Sequence, residues 1–157
     1  MRLEYFQLID RIVALSPGDG TIVAEAVVPM TSTIFEGHFP GHPLMPGVLL
    51  VEAMAQACGW LLIASKRFER MPFLAQIKDA RLRNFVPPGH ALSIKGKLVH
   101  EGSGFALASA TVTAERKRVC EGELMFRVMP FPSADLRAKM KESARRLALP
   151  MESLVDG

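Results

Sequence analysis

Residues 35–56, FEGHFPGHPLMPGVLLVEAMAQ, begin among turn-forming residues and end in an apolar run. Glycine and proline crowd the first half, which fits an irregular but ordered loop. From Gly47 or Val48 to about Lys66 the apolar residues show no strict period of two, and the run is far too long for a strand. This pattern predicts a mostly buried helix. Pro46 and Gly47 suit its start, and Lys66, Arg67 and Arg70 complement the negative end of its dipole. A carboxylate, Glu52, stands inside the run between Val51 and Ala53, and Gln56 follows one turn later on the same face.

Outward from this helix the chain reads as strands. Upstream, SPGDG is a turn signal and TIVAEAVVP a strand. Residues 30–46 are expected to form the loop. Downstream, FLAQIKDARLRNFV predicts a strand with a bulge or bend, closed by PPG. ALSIKGKLVH puts Leu92, Ile94 and Leu98 on one face, and EGSG turns the chain into FALASATVTAE. VCEGELMFRVM sets Cys120, Leu124, Phe126 and Val128 opposite Glu121, Glu123 and Arg127. One long helix followed by hairpin-linked strands indicates α+β architecture with an antiparallel sheet. Residues 133–149 read as a basic amphipathic helix, capped by Ser133 and striped by Leu136, Met140, Ala144 and Leu147. Its stripe is narrow and lacks aromatics, which favours a helix lying on the domain over a membrane anchor. The expected division is a domain over 1–132 and a basic helical tail over 133–157.

The 157 residues are 49% apolar and 22% charged, which is a globular composition. So high an apolar fraction points to surface buried against another copy. MRLEYFQLID has no uninterrupted apolar core and does not read as a secretory signal, so a cytoplasmic location is expected. The run 44–64 contains Glu52 and Gln56 and reads as a buried helix rather than a membrane span. Cys58 and Cys120 are expected to be free thiols. No Cys/His set has metal-ligand spacing, and no glycine-rich phosphate loop occurs. Basic residues cluster at Lys78, Arg81 and Arg83, at 116–118, and along 137–146. Each cluster alone reads as a solvated face; together they suit an acidic partner, protein or nucleic acid. Sparse aromatics in these stretches disfavour nucleic acid.

A histidine held in a Gly/Pro loop has a fixed orientation and a pKa near neutrality, which suits proton abstraction. A glutamate on an apolar helix is expected to be desolvated, which raises its pKa and favours the protonated acid. One base and one acid on different elements can eliminate water or add it back. Both groups can equally be structural, and spacing alone leaves the two readings open. Gln56 beside Glu52 suggests a polar pocket in which an amide positions the carboxyl group. The bland alternative is a solvent-exposed helix edge, which the apolar neighbours make less attractive.

The stretch GHFPGHPLMPGVLLVEAMAQ resembles the signature of the FabZ family, the (3R)-hydroxyacyl-[acyl-carrier-protein] dehydratases of fatty-acid synthesis. The likeness extends more weakly through YFQLIDRIVAL and FLAQIKDARLRNFVPPG, and covers roughly residues 3–130. It implies the hotdog fold, an antiparallel sheet wrapped around one long central helix. It also implies that His38 is the base, Glu52 the acid and the Gly47 N–H an oxyanion donor. Gln56 would orient the carboxylate, and Phe39 and Val48 would join it in substrate binding; His42 is read as a loop residue. By the same resemblance the site is shared between two subunits, so a homodimer is the minimal unit, and trimers of dimers are common. The acyl chain arrives on the phosphopantetheine of acidic acyl carrier protein, and no metal or organic cofactor is implied.

Three features depart from the family pattern. The N-terminus lacks the usual Pro-His-Arg, Pro88–His90 replaces a Pro-Gly-Asp, and a basic tail follows the sheet. They suggest a specialised paralogue, resembling dehydratases that serve very-long-chain acyl synthesis for lipid A. Rival readings are a FabA-like isomerising dehydratase, a hotdog thioesterase and a non-catalytic acyl-binding subunit. The first typically has Asp where Glu52 stands, the second lacks this His-Phe-Pro pattern, and the third could lose His38 or Glu52.

Overall fold

The computed structural model describes residues 1–151 and residue 154. Six strands form one sheet: β1 (Arg11–Ser16), β2 (Thr21–Val27), β3 (Arg70–Leu82), β4 (Ala91–Gly102), β5 (Phe105–Ala114) and β6 (Lys117–Pro130). Every neighbouring pair is antiparallel, in the order β1-β2-β4-β5-β6-β3. The helices are α1 (Ile34–Gly37), α2 (Gly47–Ser65) and α3 (Ala134–Arg146), and a 3-10 turn spans Leu3–Tyr5.

The expected long helix is α2, and the sheet curls around it. Leu50, Met54, Cys58 and Leu61 are almost wholly buried, and so are Ile22, Ile94, Val112 and Leu124 on the strands. Each such aliphatic side chain contributes roughly 1.5–3 kcal/mol by leaving water. Close approach depends on small residues. Ala106, Ala108 and Ala110 face inward from β5 in strict alternation with half-exposed neighbours. A Cβ added at Gly96 on β4 would lie 2.8 Å from Cys58 Sγ and 3.0 Å from Ile22 Cγ2. Although α2 has the length and hydropathy of a membrane span, 67% of its apolar window is buried inside the fold. This is the hotdog arrangement.

Strand β3 carries the expected bends, with register shifts between Leu74 and Gln76 and between Lys78 and Arg81. It lies at the sheet edge, and residues 73–82 are exposed, including Phe73, Leu74, Ile77 and Leu82. Cys58 and Cys120 are free, as expected, and burial pushes their thiols up to about 12 and 11. Ser133 caps α3, its hydroxyl accepting from the Leu136 N–H. The helix stops at Arg146, three residues short of the expected end, because Ala148 turns left-handed at φ 56°. Within the expected loop 30–46, one short helix, α1, sits immediately before His38.

The Gly96–Cys58 contact gives a test of the helix-on-sheet packing. Gly96→Ala should lower stability by about 1–3 kcal/mol through overpacking, read by thermal or denaturant unfolding. Adding Cys58→Ala should recover part of that loss, because the sulfur that clashes is gone. Strict additivity of the two substitutions would contradict the contact.

Candidate active site

Glu52 and Gln56 lie on the less buried face of α2, where they line a cavity of about 590 Å³ with Met71, Pro72 and Leu74 of β3. Trp60 and Ile63 continue the same face along the helix, and Phe126 joins them from β6. The lining is mixed, with Arg2, Asp10 and Arg146 among the apolar side chains.

Gln56 is fixed at both ends of its amide. Its Nε2 donates to Glu52 Oε1 (3.2 Å) and to the Phe6 carbonyl (2.9 Å), and its Oε1 accepts from the Leu8 N–H (3.1 Å). Only this orientation satisfies all three partners, so the amide cannot be flipped. One side chain thus ties the N-terminal segment to α2 and positions the carboxyl group. Glu52 itself is half-buried in the single chain. Its apolar neighbours point around the helix while Glu52 faces the cavity.

His38 ends α1 and starts a tight loop. Phe39 and His42 exchange backbone hydrogen bonds (3.0 and 2.9 Å), and the Leu44 N–H donates to the His38 carbonyl (3.0 Å). The His38 Nδ1 lies 3.0 Å from the Leu44 carbonyl oxygen. A carbonyl only accepts, so Nδ1 carries the proton and Nε2 presents the lone pair. The ring stacks on Phe39 at 4.1 Å. His42 is exposed and its ring makes no such contact.

Glu4 supports this loop, and the sequence offered little sign of it. Its Oε1 accepts from Ser32 Oγ (2.6 Å), the Thr33 N–H (2.9 Å) and Thr33 Oγ1 (3.3 Å). The Ser32 hydroxyl, followed by the backbone N–H groups of Glu4 and Thr33, draws the carboxyl down to about 2. The Ser-Thr pair ahead of the loop was the one available clue.

Gly47 opens α2, where the first N–H groups have no acceptor within the helix. Leu82 of β3 presses on it so closely that a Cβ would lie 2.3 Å from Leu82 Cδ1. Val48 and Phe39 are exposed. Within one chain the structure joins Glu52 to Gln56, and His38 to Phe39. His38 does not line the cavity that holds Glu52.

The family model for the FabA-like domain matches residues 2–123. This chain belongs to the FabA-like family. Among its relatives, the 3-hydroxyacyl-[acyl-carrier-protein] dehydratase FabZ of Roseiflexus castenholzii is 42% identical over 77% of this chain and 85% of its own. The protein of the same name from Lactiplantibacillus plantarum is 37% identical over 75% and 80%. Among solved structures, the dehydratase heterocomplex ApeI:P of Xenorhabdus doucetiae superposes with a TM-score of 0.65 over 85% of this chain and 90% of that one. At 17% identity that likeness speaks to the fold alone. The FabA-like match encloses every site residue expected from sequence and ends before α3.

The Glu4 contacts imply a pH dependence. A carboxyl lowered in the folded state stabilises it above the ordinary value of 4.5, and that stability is lost as pH falls from about 4.5 towards 2. Glu4→Gln should flatten the decline in melting temperature over that window relative to wild type. Equal slopes for the two proteins would show that Glu4 does not hold the loop.

Proposed function

We propose that this protein dehydrates (3R)-hydroxyacyl-[acyl-carrier-protein] to the trans-2-enoyl thioester, a step of fatty-acid synthesis. The observation that carries the reading is the Glu52–Gln56 pair, the only carboxyl on α2, held by an amide in a largely apolar cavity. The dehydratase relatives support it.

In this reaction His38 Nε2 takes the C2 proton of the thioester, and the C2–H electrons form the new double bond. The C3–O bond breaks, and the hydroxyl leaves as water with the proton of Glu52. Negative charge on the thioester oxygen is met by the Gly47 N–H at the start of α2, where the helix dipole favours it. Proton exchange with solvent returns His38 to its neutral form and Glu52 to its acid. The elimination uses only these groups, and the acyl chain enters on the phosphopantetheine arm of acyl carrier protein. Phe39 and Val48, both exposed, would contact that arm or chain.

A second copy of the chain completes the site in this proposal. His38 lies outside the cavity of its own Glu52, and an edge strand with exposed Leu74, Ile77 and Leu82 is a surface that proteins ordinarily cover. A homodimer is the minimal active unit, and three dimers could assemble further. We place its action in the cytoplasm, and an acidic acyl carrier protein as partner suits exposed basic residues away from that edge, such as Arg116 and Lys117.

Purified protein should hydrate a trans-2-enoyl thioester, seen as loss of the conjugated double-bond absorbance. His38→Ala should lower the rate by about 10²–10⁴-fold, the usual contribution of a general base, while His42→Ala should retain most activity. No hydration with either carrier-protein or CoA thioesters would overturn the enzymatic reading. Loss of activity in His42→Ala with His38→Ala unimpaired would move the base.

A further inference from the structure

We infer that α3 is the fixed outer wall of the acyl cavity, and that Met140, Ser143 and Leu147 set the longest acyl chain it accepts. The inference rests on the dehydratase reading for the identity of the ligand, an acyl thioester.

Three observations meet here. Met140, Ser143 and Arg146 of α3, with Leu147 at its C-terminal cap, line the same cavity as Glu52 and Gln56. Their spacing of three and four residues is one helical face. Trp60 and Ile63 of α2 line that cavity too, so an acyl chain running from Glu52 along α2 would meet the α3 side chains. From Glu52 to Ile63 that path covers about 16 Å at 1.5 Å per residue.

The helix is anchored rather than loosely laid down. Arg137 Nε donates to the Phe68 carbonyl (2.6 Å), just beyond the end of α2. At the other end the Ile12 N–H of β1 donates to the Leu147 carbonyl (2.7 Å). Between and beyond these ties Ala144 and Leu149 are buried in the main core. A wall pinned to the far end of α2 and to β1 cannot swing aside without breaking these bonds, so its side chains define a set boundary. The FabA-like match stops at residue 123, so this boundary lies outside the matched region.

Trp60 supplies the probe, being the chain's one tryptophan and a lining residue of the cavity. Its fluorescence can be titrated with saturated acyl-CoA thioesters of increasing length, beside hydration rates for the matching enoyl thioesters. Met140→Ala with Leu147→Ala should widen the cavity and shift the preferred length upward, raising the long-to-short ratio of kcat/KM about tenfold or more. Ser143→Leu should shift it downward by a similar factor while short-chain turnover persists. The ratio is taken within each variant, so a general loss of folded protein cancels.

Hydration by all variants with unchanged length ratios would overturn the wall and leave the dehydratase reading intact. A length shift in Trp60 fluorescence without any hydration would do the reverse, supporting the wall while removing that reading. Absence of any length-dependent fluorescence change in wild type and variants would also overturn the wall.

Discussion

Everything in this molecule depends on burying one apolar helix under a sheet that bends around it. The sheet closes on α2 only because alanines and Gly96 face it where larger side chains would hold it off. The interior is filled by apolar groups, with no buried polar residue among those described. Such a core has no room for chemistry. The polar groups of α2, Glu52 and Gln56, stand instead on its less buried face.

That face is finished by the two ends of the chain. The N-terminal segment is held by Gln56, and α3 is held by Phe68 and Ile12. The same amide that anchors the N-terminus also touches Glu52. A disturbance of residues 6–8 would thus reach the carboxyl without any direct contact between them. Glu4 links that segment in turn to the loop of His38. The N-terminal turn stands between both polar groups of the proposed site.

Much of this was legible in the sequence because the signals were local. The apolar run from Gly47, the alternation in β4 and β6 and the Ser133 cap each depend on near neighbours, and each element formed, α3 ending three residues early. Glu52 and Gln56 were legible as a pair for the same reason, four residues apart on one helix. The inequality of His38 and His42 was legible only through the family resemblance, not from the residues themselves. Residue types suit both equally, and what separates them physically is the Leu44 carbonyl beside His38 Nδ1, set by the folding of the loop. Glu4 acts across 28 residues of sequence, and α3 meets α2 across more than 70, so no pattern within either segment announces the contact. Glu52 is half-buried within one chain, because its apolar neighbours point around the helix while it faces the cavity.

The central claim is that His38 of one chain and Glu52 of another act on one substrate. Mixing His38→Ala with Glu52→Gln protein under conditions of subunit exchange tests it most directly. Each variant alone should be inactive. Heterodimers should recover part of the wild-type hydration rate, since one of their two sites regains both groups. Heterodimers shown to form but still inactive would contradict the shared site.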